Sequence, residues 1–370
     1  MSVHEPYRQR PYYGLALDPI HVGTGGYRLG EVDLTIVRDP GSNLPKIPGS
    51  SLAGAARAYT AMSSPEKYRR QDDRQKKPAF NTETRTLDEP GATKQGEEKK
   101  KTYISCAGKG GTDGSEHCGK IDCPVCVTYG FTIGPQNRSF HGMAQFYDAQ
   151  ILFFPVHTMV GPVWVTSPQV LADAGYILPK EQALPPHQVR TAKPDLVPEP
   201  AEEDRRWGLN LGWLFLNVAG ADLAVDVLWK GLHLPDSLSR LKSRLVLVPD
   251  ELFSLVVNSN LEVRTSVSID PATGAAEEGA LFTYEALPRG TVLRFPVVYH
   301  DLHHYVFPEW DGKKVTPTPF PDEQDFGWVE DNVVAGLRLM EYLGVGGMST
   351  RGFGRLRIVN LPPKATGGEK

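Results

Sequence analysis

No run of 18 or more apolar residues occurs in this sequence, so no stretch has the length that a helix needs to cross roughly 30 Å of hydrocarbon. The N-terminal MSVHEPYRQRPYY lacks the apolar core of a secretory signal. Both absences point to the cytoplasm and away from a membrane partner. An excess of basic charge is missing too: 40 Lys and Arg face 44 Asp and Glu, for a formal net charge of −4. That balance argues against a general nucleic-acid coat, which depends on a basic surplus, but it leaves local basic patches open. Cysteine is scarce, with four in 370 residues, which excludes a disulfide-stapled scaffold. At 40% hydrophobic residues the chain has no need of staples to bury a core.

The few cysteines are not scattered. They follow the spacing Cys106-x11-Cys118-x4-Cys123-x2-Cys126, with His117 beside them, in a segment rich in Gly, Asp and Ser. In a reducing compartment, soft thiolates gathered in a loop suit a closed, structural zinc site. Buried free thiols are the plain alternative. An iron–sulfur cluster is the third, because the Cys-x4-Cys-x2-Cys triplet matches the plant ferredoxin spacing, although the fourth cysteine here lies upstream. His117 is the substitute ligand if Cys106 is not used.

Along the chain, Tyr12–Leu17 alternates as a strand and Val32–Val37 is a second extended run. Ser50 is placed to cap a helix in which Leu52, Ala55, Ala56 and Tyr59 recur at helical spacing. Residues 63–130 then read as a polar insertion that ends in the cysteine cluster. A proline-rich, acidic break runs from about residue 178 to 204 and reads as an excursion from the fold, inside an insertion expected over 178–215. Strands are expected over 243–248, 262–269, 291–298 and 355–359, and a helix over 329–343 with Gly344 placed to end it. Strands flanking single helices at both ends fit an α+β sandwich of ferredoxin-like (RRM-like) type with long insertions, all in one domain spanning 1–370.

Two glycine-rich stretches stand out. His21-Val-Gly-Thr-Gly-Gly-Tyr-Arg-Leu-Gly-Glu-Val-Asp33 ends in carboxylates, and Gly344-Val-Gly-Gly-Met-Ser-Thr-Arg-Gly-Phe-Gly354 lies between a helix and a strand. A dinucleotide loop runs in the opposite order, from strand to helix, so the second stretch is not one. It is either a tight helix-to-strand turn or a close approach to a phosphate chain, with Ser349, Thr350 and Arg351 adding contacts. Around the first helix, Lys46, Ser50, Ser51 and Arg57 make a plausible phosphate site or an ordinary capped helix. His21 is either an acid–base group or a structural histidine at a strand end.

The combination HVGTG with Asp33, KIPGSSLAGAAR, CPVCVTYG and the terminal GVGGMSTRGFGRLRI resembles the RAMP superfamily of CRISPR proteins. Within it, RTSVSIDPATGAAEEGALFTYEALPRGT is similar to the repeated backbone subunit of type III-B (Cmr) effector complexes, with the type III-A (Csm) backbone subunit a close alternative. The helix departs from the family pattern at Ala53, where lysine is usual.

The resemblance implies a ferredoxin-like core and head-to-tail polymerisation of copies along a guide RNA. It also implies a thumb hairpin inserted between guide and target, antiviral defence, and cleavage of target RNA at regular intervals beside other subunits of the complex. Asp33 matches the family's catalytic aspartate, which suits a Mg²⁺ ion at the scissile phosphate. Tyr284 and Glu285 complete the site or serve packing, and Lys46, Ser50, Ser51, Arg57 and Arg351 become guide contacts. The 178–215 stretch is the candidate for the thumb. Three functions remain open on sequence: a metal-dependent ribonuclease that is also the backbone, an inert guide-binding backbone, and a stand-alone guide-processing endonuclease with His21 as base.

Overall fold

The computed structural model describes residues 5–25, 32–64, 106–108, 117–193, 196–197, 207–277 and 281–363, with four short strand segments between 68 and 104. Those segments pair as Tyr68–Arg70 with Thr102–Ile104 and Phe80–Asn81 with Thr86–Leu87. The chain forms a mixed α+β structure that divides into two compact units. One comprises Met1–Arg10, Gly49–Tyr147 and Pro296–Met340; the other comprises Pro11–Pro48, Asp148–Phe295 and Glu341–Lys370.

In the second unit the apolar run Ile151–Phe154 is buried on both faces, as befits a central strand. It belongs to Ala149–Thr158, which pairs antiparallel with Gly161–Thr166 in the register Phe154↔Val165 and Val156↔Val163. The spatial order of the main sheet is Gly208–Leu211, Leu214–Gly220, Gln188–Thr191, Leu245–Leu247, Gly161–Thr166, Ala149–Thr158, Val292–His300, Tyr7–Ala16, Leu356–Ile358. Both parallel and antiparallel pairs occur in it: Leu245–Leu247 runs parallel to Gly161–Thr166 and antiparallel to Gln188–Thr191. Beneath the sheet Phe153 stacks on Trp229 of the short Val225–Gly231 helix, with ring centroids 5.7 Å apart, inside a cluster that includes Tyr13, Leu171, Leu238 and Val292.

In the first unit the Gly49–Met62 helix buries Leu52, Ala56 and Thr60, four residues apart, on one face. The Phe326–Leu343 helix starts where the Asp325 carboxylate accepts from the Trp328 backbone N–H at 3.0 Å, and it buries Val329, Val333, Leu337 and Met340. It stops at Gly344, in the left-handed region at φ 80°.

Two expectations are corrected. The described parts of 178–215 are not an excursion, because Gln188–Thr191 and Gly208–Leu211 are strands of the main sheet with Val189, Leu209 and Leu211 buried. The prolines of that stretch lie before the first of these strands, at 179, 185 and 186, and between the two, at 194, 198 and 200. Residues 32–37 are not a regular strand but a run of single bridges, at Leu34, Ile36 and Arg38. The centre of the first glycine stretch, residues 26–31, lies outside the described residues.

Candidate functional site

Three segments distant in sequence meet on the strand Phe282–Ala286, which pairs antiparallel with Glu262–Ser266. Ile20 bridges Leu287, Gly23 bridges Ile36, and Leu34 runs parallel to Tyr284. The terminal glycine turn joins them through the Gly347 N–H, which donates to the His21 carbonyl at 2.8 Å, and the Gly354 N–H, which donates to the Pro19 carbonyl at 2.8 Å.

Asp33 closes onto this strand. Its Oδ2 accepts from the Thr283 N–H at 2.7 Å and from the Thr283 hydroxyl at 3.0 Å, while the Asp33 N–H lies 3.1 Å from Thr283 Oγ1. These donors hold the Asp33 carboxyl below the usual carboxylate range, so the group is charged at neutral pH. Among the described residues no hydrogen bond reaches its other oxygen, Oδ1.

His21 is 6% exposed, and its Nδ1 lies 2.6 Å from the Glu285 carbonyl oxygen. A carbonyl can only accept, so Nδ1 carries a proton, and in the neutral ring that tautomer puts the lone pair on Nε2. A Cβ at position 23 would stand 2.9 Å from Nε2, so glycine there keeps room at that nitrogen. The backbone is fixed from the other side. Gly346 sits at φ 87°, and a Cβ there would enter the His21 carbonyl oxygen.

Tyr284 and Glu285 support the site. Tyr284 is buried, with its ring edge against His21 and Phe353 and its hydroxyl accepting from Ser266 at 3.1 Å. The Glu285 carboxylate is taken by Arg38, whose Nη2 lies 3.0 Å from Oε1 and 2.9 Å from Oε2, and it also accepts from the Ile36 N–H at 3.3 Å. Arg351 is exposed with its guanidinium 5.4 Å from the Phe282 ring centre. Thr283 and Arg38 escaped sequence reasoning; Thr283 sits inside the quoted LFTYEALP segment, whereas Arg38 carried no signal.

The residues grouped around the first helix have other surroundings. Lys46 pairs with Asp148 at 2.7 Å and Asp39 at 3.5 Å, which raises its pKa and keeps it charged. Ser50 is exposed and Ser51 half-buried. Arg57 turns to the cysteine segment: Nε donates to the Cys106 carbonyl at 2.8 Å, Nη1 to the Tyr129 carbonyl at 3.3 Å, and Nη2 to the Gly130 carbonyl at 2.9 Å. Three carbonyls and the His117 ring thus take donors of Arg57.

The four cysteines converge, with all their sulfurs within 4.8 Å of one another. Cys123 caps the Pro124–Tyr129 helix, its sulfur accepting from the Cys126 N–H at 3.2 Å. The Cys118–Cys126 and Cys126–Cys106 sulfurs are 3.8 and 3.6 Å apart. A tetrahedral ion with metal–sulfur bonds of about 2.3 Å sets sulfurs about 3.8 Å apart, so one metal ion fits this set. A binuclear iron–sulfur cluster divides its cysteines between two irons and needs a wider spread. Contacts to the neighbouring sulfurs and burial push the Cys106 and Cys126 thiols far up, a charging cost that a bound cation relieves. His117 is not a member of the set. Its Nδ1 lies 3.2 Å from Arg57, and burial with that guanidinium pushes its pKa down to about 4, leaving a neutral acceptor.

Among the described residues no helix is long and apolar enough to cross a membrane. The chain matches the family model described as the RAMP superfamily over residues 15–357. It is 25% identical over 247 residues to the CRISPR system Cmr endoribonuclease Cmr4 of Pyrococcus furiosus, covering 64% of this chain and 76% of that protein. Its fold is shared with a chain of the type III-B Cmr-beta complex in the apo state, at TM-score 0.54 and 17% identity, covering 95% of this chain and 97% of that one. For Cmr-beta bound to cognate target RNA the TM-score is 0.55 at 17% identity, over 96% and 99% of the two chains. A crystal structure of Cmr4 gives 0.51 at 17% identity, over 95% and 100%.

Proposed function

Because the chain belongs to the RAMP superfamily, we propose that it is the repeated backbone subunit of a type III-B (Cmr-type) RNA-guided effector complex, which lies along a guide RNA and cuts complementary target RNA. The observation that carries this reading is the convergence of Asp33, His21 and the terminal glycine turn on Phe282–Ala286, in a chain similar to a Cmr endoribonuclease.

RNA brings its own nucleophile, the 2′-hydroxyl, so cleavage needs alignment, charge stabilisation at phosphate and proton transfer. Asp33 is charged and offers Oδ1, and one carboxylate shared with phosphate oxygens is a common mode of Mg²⁺ binding. There Mg²⁺ would supply Lewis-acid stabilisation of the phosphate. His21 presents Nε2 as an acceptor for a hydroxyl proton, with its tautomer held by the Glu285 carbonyl. Glu285 and Tyr284 position these groups and do not act on the substrate. Arg351, with Lys46, Ser50 and Ser51, contacts guide phosphates.

The thumb is assigned to the extension of the Glu262–Ser266/Phe282–Ala286 hairpin. Its turn is closed by Gly274 N–H to Asp270 carbonyl at 2.8 Å, and Val263, Val267, Ile269 and Leu281 are each more than 40% exposed, as a wedge entering a duplex requires. The core is read as ferredoxin-like. Strands Tyr7–Ala16, Ala149–Thr158, Val292–His300 and Leu356–Ile358 follow the spatial order 2-3-1-4, with one long helix after the first and one after the third. The cysteine centre holds structural zinc. Copies stack head to tail beside other subunits of a cytoplasmic antiviral complex, through unlike faces because the contact does not close.

The inert backbone is the second reading. Its support is that Thr283 donates twice to Asp33, as a purely turn-closing aspartate also requires. The deciding experiment supplies assembled complex with a labelled complementary RNA. Cuts at even intervals that stop on adding EDTA support the ribonuclease, and an intact target sinks it.

A further inference from the structure

Two arginines flank the four cysteines. Arg138, in the strand Arg138–His141, is 4% exposed. Its donors go to the Pro308 carbonyl at 2.8 Å, the Gln136 amide oxygen at 2.9 Å and the Gly119 carbonyl, the residue after Cys118. Arg57 reaches the Cys106 carbonyl and the Gly130 carbonyl. Among the described residues neither guanidinium forms an ion pair with a carboxylate. A buried guanidinium without a counter-charge is expensive, and such groups persist where a negative charge stands nearby. The carboxylate of Glu309 is engaged elsewhere, accepting from the Thr318 hydroxyl at 3.0 Å.

We propose that Arg57 and Arg138 are the counter-charges of a four-thiolate metal centre, each holding a backbone carbonyl at or next to a ligand cysteine and together cancelling the charge that the metal leaves. The inference rests on the metal reading of the cysteines. Four thiolates around a divalent ion leave two negative charges, and the half-buried Arg57 and the buried Arg138 match them, so the centre as a whole is neutral. This accounts for an arginine in the first helix facing inward, and it joins that helix to the metal loop electrostatically.

The test uses purified full-length protein and a chromogenic zinc chelator, comparing wild type with Arg57→Gln, Arg138→Gln and Arg138→Lys. Each Gln variant is expected to release zinc at least tenfold faster, while Arg138→Lys, which keeps the charge, stays within about threefold of wild type. Cobalt replacement gives a second reading. The sulfur-to-cobalt absorption of the Gln variants should be weaker at neutral pH, where one or more cysteines stays protonated and does not ligate, and regain its wild-type intensity only at higher pH. Zinc release at the wild-type rate in both Gln variants overturns the proposal. So does Arg138→Lys losing zinc as fast as Arg138→Gln, which would make shape rather than charge the cause. If Arg138→Gln does not fold, Arg57→Gln and Arg138→Lys decide on the same criteria. Wild-type protein without zinc, or unable to take up cobalt, overturns the metal reading itself and is told apart from the other results.

Discussion

Arg38 grips Glu285 by both carboxylate oxygens, at 3.0 and 2.9 Å, while its Nη1 donates to the Ile36 carbonyl and its Nε to Asn258. The pair thereby sews the Asp33 segment to the strand beneath it. Both side chains are mostly shielded, 21% and 14% exposed, so removing one leaves the other poorly solvated. Arg38→Met is expected to cost about 1–3 kcal/mol in urea unfolding. Glu285→Gln, which keeps acceptor geometry, should cost less. A Glu285→Gln protein that folds normally but has lost cutting by more than a hundredfold would instead make Glu285 a catalytic group.

Thr283 controls the charge of Asp33. Its backbone and hydroxyl donors favour the carboxylate, so the folded pKa lies below the unfolded one. The stability that this interaction contributes is present above the unfolded pKa and drains away as pH falls through the lower folded value. In Thr283→Val the Asp33 titration followed by NMR should move upward, because only the backbone donor remains. Asp33→Asn should abolish cutting, by a hundredfold or more, with guide binding and target capture intact. Cutting by Asp33→Asn at the wild-type rate would make Asp33 a turn-closing residue and place the chemistry on another group.

Gly346 occupies a left-handed conformation against the His21 carbonyl. Gly346→Ala must displace either the turn or His21, at about 1–3 kcal/mol. The expected signature is a changed His21 ring resonance together with slower cutting, while the zinc content stays at the wild-type level. A protein as stable and as fast as wild type would mean that the turn yields freely.

Arg351 and Arg57 should now part company in guide binding. The exposed Arg351 touches no carboxylate among the described residues, so Arg351→Ala should weaken guide RNA equally for all sequences and lower the salt slope by about one. Arg57→Ala should act through stability and metal retention instead. Filter binding across a salt series separates the two, and an unaltered slope for Arg351→Ala removes it from the interface.

Local pattern carried much of this molecule into view. The first helix, read from Leu52, Ala55, Ala56 and Tyr59 and burying Leu52 and Ala56 with Thr60 instead, the long helix ending at Gly344 and the strand near 292–300 are periodic enough to read directly. The Ala149–Thr158/Gly161–Thr166 hairpin escaped because a strand buried on both faces does not alternate: Ile151 through Phe154 are all apolar and all inside. Composition misled at 178–215, where prolines before and between two core strands obscured the strands themselves. At the site, Asp33, His21, Tyr284, Glu285 and Arg351 were visible as motif residues. The partners that give them their roles lie 250 residues away at Thr283 or run through backbone carbonyls, and no spacing rule reaches either. Arg57 shows the same limit, since its register on the helix is plain but its direction is set by the loop carbonyls that it meets.

The first strand has both of its sheet neighbours, Val292–His300 and Leu356–Ile358, far downstream. On the ribosome it therefore emerges without a mate. At 5–20 residues per second, roughly 20–70 s pass between synthesis of Ala16 and arrival of its last partner. During that interval Tyr12, Tyr13, Leu15 and Ala16, all interior in the finished protein, are exposed to the cell together with their backbone donors and acceptors. Vectorial growth thus leaves the oldest part of the sheet to be completed by the newest, and the nascent chain needs its N-terminal strand kept from pairing elsewhere until the glycine turn has been made.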